Sequence, residues 1–580
     1  MDNPNLLLPL QIAIPLLMAA ILTGAGQWFP RKITDLLSMA TALVSSWIGL
    51  RLIEHTGPGQ KPLIYWFGGW GPGVMSSRAL GVSFSVDPIS AILATFVPFL
   101  FVFTFIYTWR YFKEVKSLFH ALMLVFMASM CGFCLSGDLF NLFVWFELMS
   151  AAGIVLCGYK SEELGPLQGA INFAVLNSVG AFLTLTGIAF LYAHTSALNM
   201  AQMGASLAQT SPDPWVWIAF AFVCFGFLTK AAIVPFHFWL ADAHAVAPAP
   251  VSALFSGIMV PLGLFAVQKV HHTVFAQAFA PQQHQIQQVF IWMGVASTLL
   301  GGVMCFLQRH LKRLLAFSTI SHVGMMMIAL SLFQEQASHG MYTYLLGHGL
   351  VKASLFMIVG ILLHRTGSVD EKKLFRKCLE LKPANILFLT ATLGIAGVPP
   401  FSTFSGHHEI EKALRETHQE WLGYVLILGS ALTAGTLFRS YARIFLGWGR
   451  STQDNFSSPQ PAEGDENRET GETPSQTPWS MILAPALLLA FSVALSFESR
   501  FKVDARSLIH AGLTLFLALA LATSALYGKR GLIKSRSPHA ILLRSMASGL
   551  HSLHSGQVGD YIVWFTLGVG VYGLGFLLKT

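Results

Sequence analysis

The sequence predicts an all-α, polytopic membrane protein. Hydrophobic residues make up 54% of its 580 residues and charged residues only 11%, whereas a soluble domain has about a quarter of its residues charged. The apolar residues fall in runs long enough to cross roughly 30 Å of hydrocarbon. We therefore expect a multi-pass protein of the bacterial inner (cell) membrane. The net charge of +8 comes from loop residues and does not indicate nucleic-acid binding.

The apolar runs predict about 14–16 transmembrane helices. They cover residues 6–26, 33–53, 87–109, 117–136, 138–159, 168–193, 213–240, 249–270, 289–308, 313–333, 341–364, 384–415, 421–446, 479–497, 507–527 and 558–579. Most Lys and Arg residues lie in the odd-numbered loops, so the positive-inside rule places those loops in the cytoplasm.

Two of the predicted helices are broken by proline. Pro235 interrupts segment 213–240 within KAAIVPFHFWL, and two prolines interrupt segment 384–415 within GVPPFSTFSG. Broken helices at matching places in two halves of a chain indicate an ion or substrate site. The breaks lie about five helices apart, which predicts two five-helix repeats. Because each repeat has an odd number of helices, the second is inverted in the membrane.

These features divide the chain into five parts. Residues 1–116 hold N-terminal transmembrane helices and an aromatic, glycine-rich outer loop. Residues 117–270 and 289–446 are the two repeats. Residues 451–478 have six acidic residues and predict a disordered cytoplasmic linker. Residues 479–580 form a C-terminal transmembrane extension.

Ionisable residues inside apolar helices are functional hypotheses by default, because a charge at the bilayer centre costs about 2.5–3.5 kcal/mol on insertion scales. Glu147 lies in NLFVWFELMSAAG, far from other charges, and Lys230 lies just before Pro235. A buried lysine that loses its hydration releases its proton more readily and can exchange it near neutral pH. A nearby carboxylate has the opposite effect, because it stabilises the protonated lysine. The alternatives are a structural carboxylate and a snorkelling lysine.

Further along, His348 and Lys352 lie four residues apart and share a helix face. Histidine titrates near physiological pH and suits a proton relay. His322, in STISHVG, could bridge the two repeats. His237 and His244, near Asp242 at the end of the first broken helix, indicate either a pathway for proton uptake or an ordinary polar helix end.

His407, His408 and Glu409 follow the second break in FSGHHEIEKAL. Three interpretations stay open. They form the terminal proton site; or His407 and Glu411, four residues apart, bind a metal; or the helix end simply reaches water. Elsewhere the sequence has no clustered cysteines for an iron–sulfur centre, no dinucleotide fingerprint and no Walker motif. We expect no cofactor and no resident metal.

At these residues the sequence resembles the antiporter-like membrane subunits shared by respiratory complex I, membrane-bound hydrogenases and Mrp-type multisubunit cation/proton antiporters. The similarity runs from about residue 85 to 450 and is most specific in the stretches GDLFNLFVWFELMSAAG, LTKAAIVPFHFWLADAHAVAPAPVSALFSG, LKRLLAFSTISHVG, YLLGHGLVKASLF and GVPPFSTFSG. Within the family, YWFGGWGPG followed by VSFSVDPISA looks most like the Mrp D subunit.

The resemblance implies that Glu147 and Lys230 form the ion pair of the first half. It implies that His348 lies on the helix leading to the second half-channel, and that His407 takes the place where relatives carry Lys or Glu. Two other positions depart from the family: Pro261 and Asn172 stand where relatives have lysines. The central relay then runs through water, runs through His322, or is partly lost.

The resulting expectation is a proton (or Na⁺/H⁺) translocating membrane subunit of a multisubunit cation/proton antiporter. One alternative is a proton-pumping subunit of a complex I-like or hydrogenase-like redox complex, or of an inorganic-carbon uptake complex. Another is a structural subunit without transport. As an enzyme it would be at most a non-redox subunit of an NADH:quinone oxidoreductase-like complex. Its expected partners are other membrane subunits, the lipid bilayer, H⁺ and Na⁺, but no nucleic acid.

Overall fold

The computed structural model describes residues 4–57, 59–73, 81–112, 115–209, 211–449, 476–498, 504–527, 545, 548–550 and 552–577. Within them, fourteen helices are long and apolar enough to cross a membrane. The two proline-broken segments account for the other two predicted spans. The all-α polytopic fold and the multi-pass membrane location are thus confirmed. Most of the predicted linker 451–478 lies outside the described residues.

The N-terminal part consists of three helices and a hairpin. In order they are α1 (Leu7–Gly24), α2 (Arg31–Glu54), β1 (Leu63–Trp66), β2 (Ser83–Val86) and α3 (Pro88–Tyr111). The two strands pair antiparallel, which the aromatic, glycine-rich loop did not predict. Asp87 ends the hairpin and begins α3, because its side chain accepts a hydrogen bond of 2.7 Å from the Ser90 N–H and caps the helix.

Two five-helix repeats follow. The first contains α4 (Ser117–Leu135), α5 (Leu139–Cys157), α6 (Leu164–Thr195), a short outer helix α7 (Met200–Leu207), the broken pair α8 (Pro214–Lys230) and α9 (Phe238–Val246), and the pair α10 (Ala249–Leu254) and α11 (Val260–Val270). The second contains α12 (Gln283–Leu307), α13 (Leu311–Ser331), α14 (Glu335–Thr366), the broken pair α15 (Lys382–Ile395) and α16 (Ser402–Glu416), and α17 (Trp421–Tyr441).

The repeats match in local detail. Helices α6 and α14 each have 32 residues and each end before one residue with positive φ, Ser196 and Gly367. Before α5 and α13, isolated bridges pair Asp138 with Asn199 and His310 with Asp370. In the predicted orientation the first bridge lies outside and the second in the cytoplasm. Equal local structures on opposite faces are what an inverted repeat requires.

The first break is a helix ending followed by a proline. Ala232 has a φ of 52°, and the next N–H, that of Ile233, donates to the Leu228 carbonyl five residues back at 3.1 Å. This is the Schellman type of helix end. The Val234–Pro235 peptide is cis, and α9 begins at Phe238.

The second break repeats this pattern. Gly397 has a φ of 67°, and the N–H of Val398 donates to the Leu393 carbonyl at 3.3 Å. The Pro399–Pro400 peptide is also cis. Both breaks therefore have the same turn. A residue of left-handed conformation ends the helix, and a proline two or three residues later prevents the helix from continuing.

Between α10 and α11 the helix widens into a π-turn at Phe255–Met259. Pro261 explains it: a proline has no N–H for the carbonyl of Gly257 and clashes with it in a regular α-helix. The freed carbonyl faces Gly349 of α14, where an added Cβ would lie 2.4 Å from it. One turn before Pro261, two helices thus touch backbone to backbone.

The C-terminal extension adds α18 (Trp479–Glu498), α19 (Ala505–Tyr527) and α20 (Val558–Leu577). Helix α18 packs on α3, α14 and α16, and α19 packs on α17 and α16. Helix α20 instead packs on α6, α8 and α12. The extension therefore reaches elements of both repeats.

Candidate functional site

Lys230 ends α8 at the first break and is completely buried. Its ammonium donates a hydrogen bond of 2.6 Å to the Ser150 hydroxyl on α5. The Nζ atom also lies 4.7 Å from the ring centre of Phe146 and 5.4 Å from that of Phe173. A hydroxyl and two aromatic faces thus replace part of the hydration of the buried charge.

Glu147 lies one helical turn before Ser150 and is partly buried. No nitrogen–oxygen contact within 4.0 Å joins it to Lys230 in the part of the chain that the structure describes, and its buried Oε1 has no hydrogen-bond partner there. The implied ion pair is therefore not a direct contact here, because Ser150 offers a nearer acceptor. Lys230 therefore has two possible hydrogen-bond acceptors one turn apart on α5, the Glu147 carboxylate and the Ser150 hydroxyl. It donates to the neutral hydroxyl.

The boundary between the repeats holds His244, which the sequence placed at a helix end. It is completely buried and stacks on Phe356 of α14, with ring centres 4.5 Å apart. Neither ring nitrogen has a hydrogen-bond partner among the described residues. A hydroxyl pair crosses the same boundary, since Ser256 lies 2.7 Å from Thr319. His244 reaches the second repeat because it lies on the buried helix Phe238–Val246, where a loop was expected after residue 240.

Two buried lysines flank this boundary. Lys352 donates to the Leu315 carbonyl at 3.0 Å and to the Ser318 hydroxyl. Lys312 donates to the Ala247 carbonyl at 2.7 Å. Lys352 was predicted, whereas Lys312 was not, because it falls in the predicted loop between segments 289–308 and 313–333.

A row of aromatic and imidazole side chains continues from Lys352 through the second repeat. His348 lies one turn before Lys352, and its ring centre is 5.4 Å from that of His322. The Nδ1 atom of His322 is 2.5 Å from the Tyr344 hydroxyl. Tyr344 in turn stacks on His407, with ring centres 4.7 Å apart. His322 therefore lies inside the second repeat and does not bridge the two repeats as expected.

Both ring nitrogens of His322 have hydroxyl partners. The Nε2 atom lies 3.1 Å from the Thr433 hydroxyl, which also lies 3.1 Å from the Gly429 and Ser430 carbonyls of its own helix. A hydroxyl can donate or accept, so the ring can hold its proton on either nitrogen without losing a partner. A proton can thus pass between Tyr344 and His322 along one short hydrogen bond.

Beyond His407 lies a small cavity between α16 and α19, with room for about one water molecule. It is lined by Ala396, Gly397, Phe404, His407, His408, Glu411, Ser507, His510, Ala511 and Thr514. Glu411 Oε1 lies 3.0 Å from His510 Nδ1, while its Oε2 is buried without a partner among the described residues. In those residues no group of three or more His, Cys, Asp or Glu side chains is arranged to hold a metal ion.

Glu409 is not brought to this row. Its Oε2 accepts a hydrogen bond of 3.1 Å from Gln336, at the outer end of α14. Since residues four apart lie on one helix face and residues two apart do not, His407 and Glu411 share the cavity and Glu409 points away from it.

At the opposite end of the first repeat, side chains of the C-terminal extension meet the predicted uptake residues. His237 Nε2 lies 3.1 Å from His554 Nε2. Asp242 Oδ2 accepts hydrogen bonds of 3.0 Å from both Asn172 and Tyr561. Asp242 Oδ1 forms an ion pair of 3.2 Å with Arg313.

Sequence reasoning missed several of these residues for different reasons. Tyr344 lies four residues before His348, so the helical spacing could have revealed it. His510, His554 and Tyr561 carry no such signal, because they reach the repeats from distant parts of the chain.

Comparisons with known proteins agree with this architecture. The family described as NADH:quinone oxidoreductase/Mrp antiporter, TM, matches residues 136–433. NADH-quinone oxidoreductase subunit N of Desulforudis audaxviator is 30% identical over 415 residues, covering 71% of this chain and 80% of that protein. The D subunit of the Na(+)/H(+) antiporter of Bacillus subtilis is 25% identical over 461 residues, covering 78% of this chain and 90% of that protein.

Two solved structures share the fold. A chain of the Mrp complex from Dietzia sp. DQ12-45-1b superposes with a TM-score of 0.74 at 23% identity, covering 93% of this chain and 100% of that chain. A chain of the membrane-bound sulfane sulfur reductase, an archaeal respiratory membrane complex, superposes with a TM-score of 0.72 at 20% identity, covering 90% of this chain and 99% of that chain.

Proposed function

This chain belongs to the NADH:quinone oxidoreductase/Mrp antiporter transmembrane family, and from that premise we propose that it is the proton-translocating membrane subunit of a multisubunit cation/proton antiporter. The observation that carries the proposal is the row formed by the buried His348, His322 and Tyr344 and the partly buried His407, in which one short hydrogen bond joins titratable rings. Burying such groups in an apolar bundle costs free energy. A proton path along the row and into the cavity explains why the chain carries them there.

The first repeat supplies the switch. In its present position Lys230 donates to a neutral hydroxyl and lies one turn from the Glu147 carboxylate. When the ammonium moves to Glu147, the ion pair stabilises the protonated lysine, and when it returns to Ser150 that stabilisation is lost. The lysine therefore binds a proton more tightly in one position than in the other, which is the property that a translocation step needs.

The second repeat supplies the outward path. A proton that leaves the first repeat meets His244 at the boundary and then Lys352. From there His348, His322 and Tyr344 lead to His407 and to the cavity with Glu411. In the predicted orientation this cavity lies on the outer half of the membrane. An ion gradient provides the energy, about 2.3 kcal/mol per charge for each 100 mV.

Partner subunits complete the proposed assembly. The similar chains in solved structures come from multisubunit membrane complexes, namely an Mrp complex and a respiratory complex. We propose that this chain also works beside other membrane subunits, in contact with the lipid bilayer. In a redox-coupled complex the same path would run on a different energy source, and the co-purifying subunits distinguish the two cases.

The test is proton flux in proteoliposomes that contain the complex purified through this chain. We expect Glu147→Gln and Lys230→Ala to abolish flux driven by a pH gradient. The matched controls are Glu335→Gln and Lys32→Ala, which change exposed residues of the same types. If the two buried variants transport like the controls, the chain is a structural subunit and the proposal fails. Flux measured with and without Na⁺ identifies the coupled ion.

A further inference from the structure

A helix of the C-terminal extension covers the outer end of the row. Helix α19 packs on α16, and two polar contacts join the helices. His408 Nδ1 lies 2.7 Å from the Ser507 hydroxyl, and Arg415 forms an ion pair of 3.3 Å with Asp504. The cavity beside His407 lies between the same two helices. One wall of that cavity therefore belongs to the extension and not to the second repeat.

Two buried polar atoms at this cavity have no hydrogen-bond partner among the described residues. They are Nε2 of His407 and Oε2 of Glu411. Both residues line the cavity, which has room for about one water molecule. Because they are four residues apart, they lie on the same face of α16. A water molecule in the cavity can hydrogen-bond to both atoms, and two polar partners are enough to hold a buried water.

The other oxygen of Glu411 is paired with the extension. Oε1 lies 3.0 Å from Nδ1 of His510 on α19. Protonated His510 is thus the counter-charge of the Glu411 carboxylate and stabilises it. The pair also leaves Oε2 as the oxygen that is free to accept a proton. The other titratable or charged groups near Glu411 are His407, His408 and Arg415 of α16 and Asp504 of α19.

We propose that Glu411 is the group that releases protons to the outside, and that His510 is a positioning residue that holds the carboxylate for this task. The inference rests on the proposed transport function. Protonated His407 gives the proton on Nε2 to a water molecule in the cavity, while that water gives one of its own protons to Oε2 of Glu411. The imidazolium becomes neutral, the carboxylate becomes the acid and the water is unchanged. Glu411 then gives its proton to water outside, and its carboxylate pairs again with His510.

The position of this pair near the outer surface fits a release site. His510 is five residues after the first residue of α19, which is about 7.5 Å along the helix. Glu411 is five residues before the last residue of α16. In the predicted orientation both of these helix ends face outward. His407, His510 and Ala511, which line the cavity, are partly exposed, so the cavity reaches the surface of the chain.

A structural role alone does not explain Glu411. Helix α19 is already held on α16 by Arg415. It also packs closely on α17, where a Cβ added at Gly435 would lie 2.8 Å from the Ala518 carbonyl oxygen. A carboxylate that only joins helices would have both oxygens paired, because an unpaired polar atom in an apolar interior costs free energy. The unpaired oxygen at a cavity that His407 shares is what indicates proton transfer.

The first experiment changes Glu411 in the reconstituted complex. We expect Glu411→Gln, which keeps the shape of the side chain but takes up no proton, to lower pH-gradient-driven flux about 100-fold. Glu416→Gln is the matched control, because Glu416 is an exposed glutamate of the same helix. Its flux should equal that of the unmodified complex. Size-exclusion chromatography shows that both variants assemble, so that lost flux does not reflect a lost complex.

The second experiment separates charge from contact at His510. His510→Gln keeps a polar side chain without a positive charge, and we expect flux to fall about tenfold, the effect of one unit of proton affinity. His510→Lys keeps a positive charge on a side chain that can reach Glu411, and it should restore most of the flux. A residue that only packs would not distinguish Gln from Lys in this way. His339→Gln, a change of an exposed histidine, should leave flux unchanged.

The outcomes separate this inference from the proposed function. If Glu411→Gln transports normally while Glu147→Gln does not, the release site is refuted and the transport function stands. If His510→Gln transports normally, or if His510→Lys is as slow as His510→Gln, the positioning role of His510 is refuted. If Glu147→Gln also transports normally, the proposed function itself fails.

Discussion

The hydroxyl of Tyr344 offers the sharpest test of the path through the second repeat. Tyr344→Phe removes one oxygen atom and keeps the ring that stacks on His407 at 4.7 Å. The oxygen removed lies 2.5 Å from Nδ1 of His322, which is completely buried. The substitution therefore breaks the hydrogen bond between two members of the row while leaving their packing in place.

The expected size of the effect follows from this contact. The substitution leaves the buried Nδ1 atom of His322 without its hydrogen-bond partner, at a cost of about 1–3 kcal/mol. If that cost falls on the state that carries the proton between His322 and His407, the rate drops about 5- to 150-fold, because about 1.4 kcal/mol corresponds to a factor of ten.

The assay is the initial rate of pH-gradient-driven flux in proteoliposomes. Tyr342→Phe is the control, because Tyr342 is a buried tyrosine of the same helix whose hydroxyl takes part in no hydrogen bond within the described chain. We expect it to transport at the unmodified rate. A Tyr344→Phe variant that matches this control would show that protons do not pass through the Tyr344 hydroxyl.

Three further predictions concern other parts of the chain. Lys352→Met should abolish flux while the complex still assembles, because it removes the ammonium between the boundary and His348; assembly is checked by size-exclusion chromatography. Glu371→Gln should lower the melting temperature of the purified complex, because it leaves the buried guanidinium of Arg439 without its carboxylate, a loss worth about 3–5 kcal/mol. Burial raises the pKa of the Cys378 thiol to about 12, and since the thiolate is the reactive form, maleimide should label Cys378 slowly at neutral pH, whereas Leu379→Cys, at a residue that is 46% exposed, should label quickly.

The helices could be predicted because hydrophobic runs and prolines are local signals. The break after Lys230 follows from Pro235, and the turn that forms it needs only the residues around it. Glu147, His348 and Lys352 stood out because a charge in an apolar run is conspicuous in any sequence. These features belong to single helices, so the sequence of each helix was enough.

The parts that escaped prediction depend on contacts between distant segments. The strands Leu63–Trp66 and Ser83–Val86 pair with each other across a long intervening stretch of chain, and no local pattern indicates that pairing. The partner of Lys230 was expected to be Glu147, although the next turn of the same helix offered Ser150. Nothing near Glu411 in the sequence indicates His510, which reaches it from α19. A single sequence shows which groups are costly to bury, but not which neighbour relieves the cost.

The backbone contact between Gly257 and Gly349 has an electrical consequence. A continuous water file through both repeats would let ions run down their gradient without doing work, as a short circuit does. Where these two glycines meet there is no space for a side chain, because a Cβ added at Gly349 would collide with the Gly257 carbonyl oxygen. Under the proposed function, charge crosses this point on side chains such as His244 and Lys352 and not along a continuous line of water between the two backbones. The π-turn before Pro261 would then contribute insulation to the middle of the membrane.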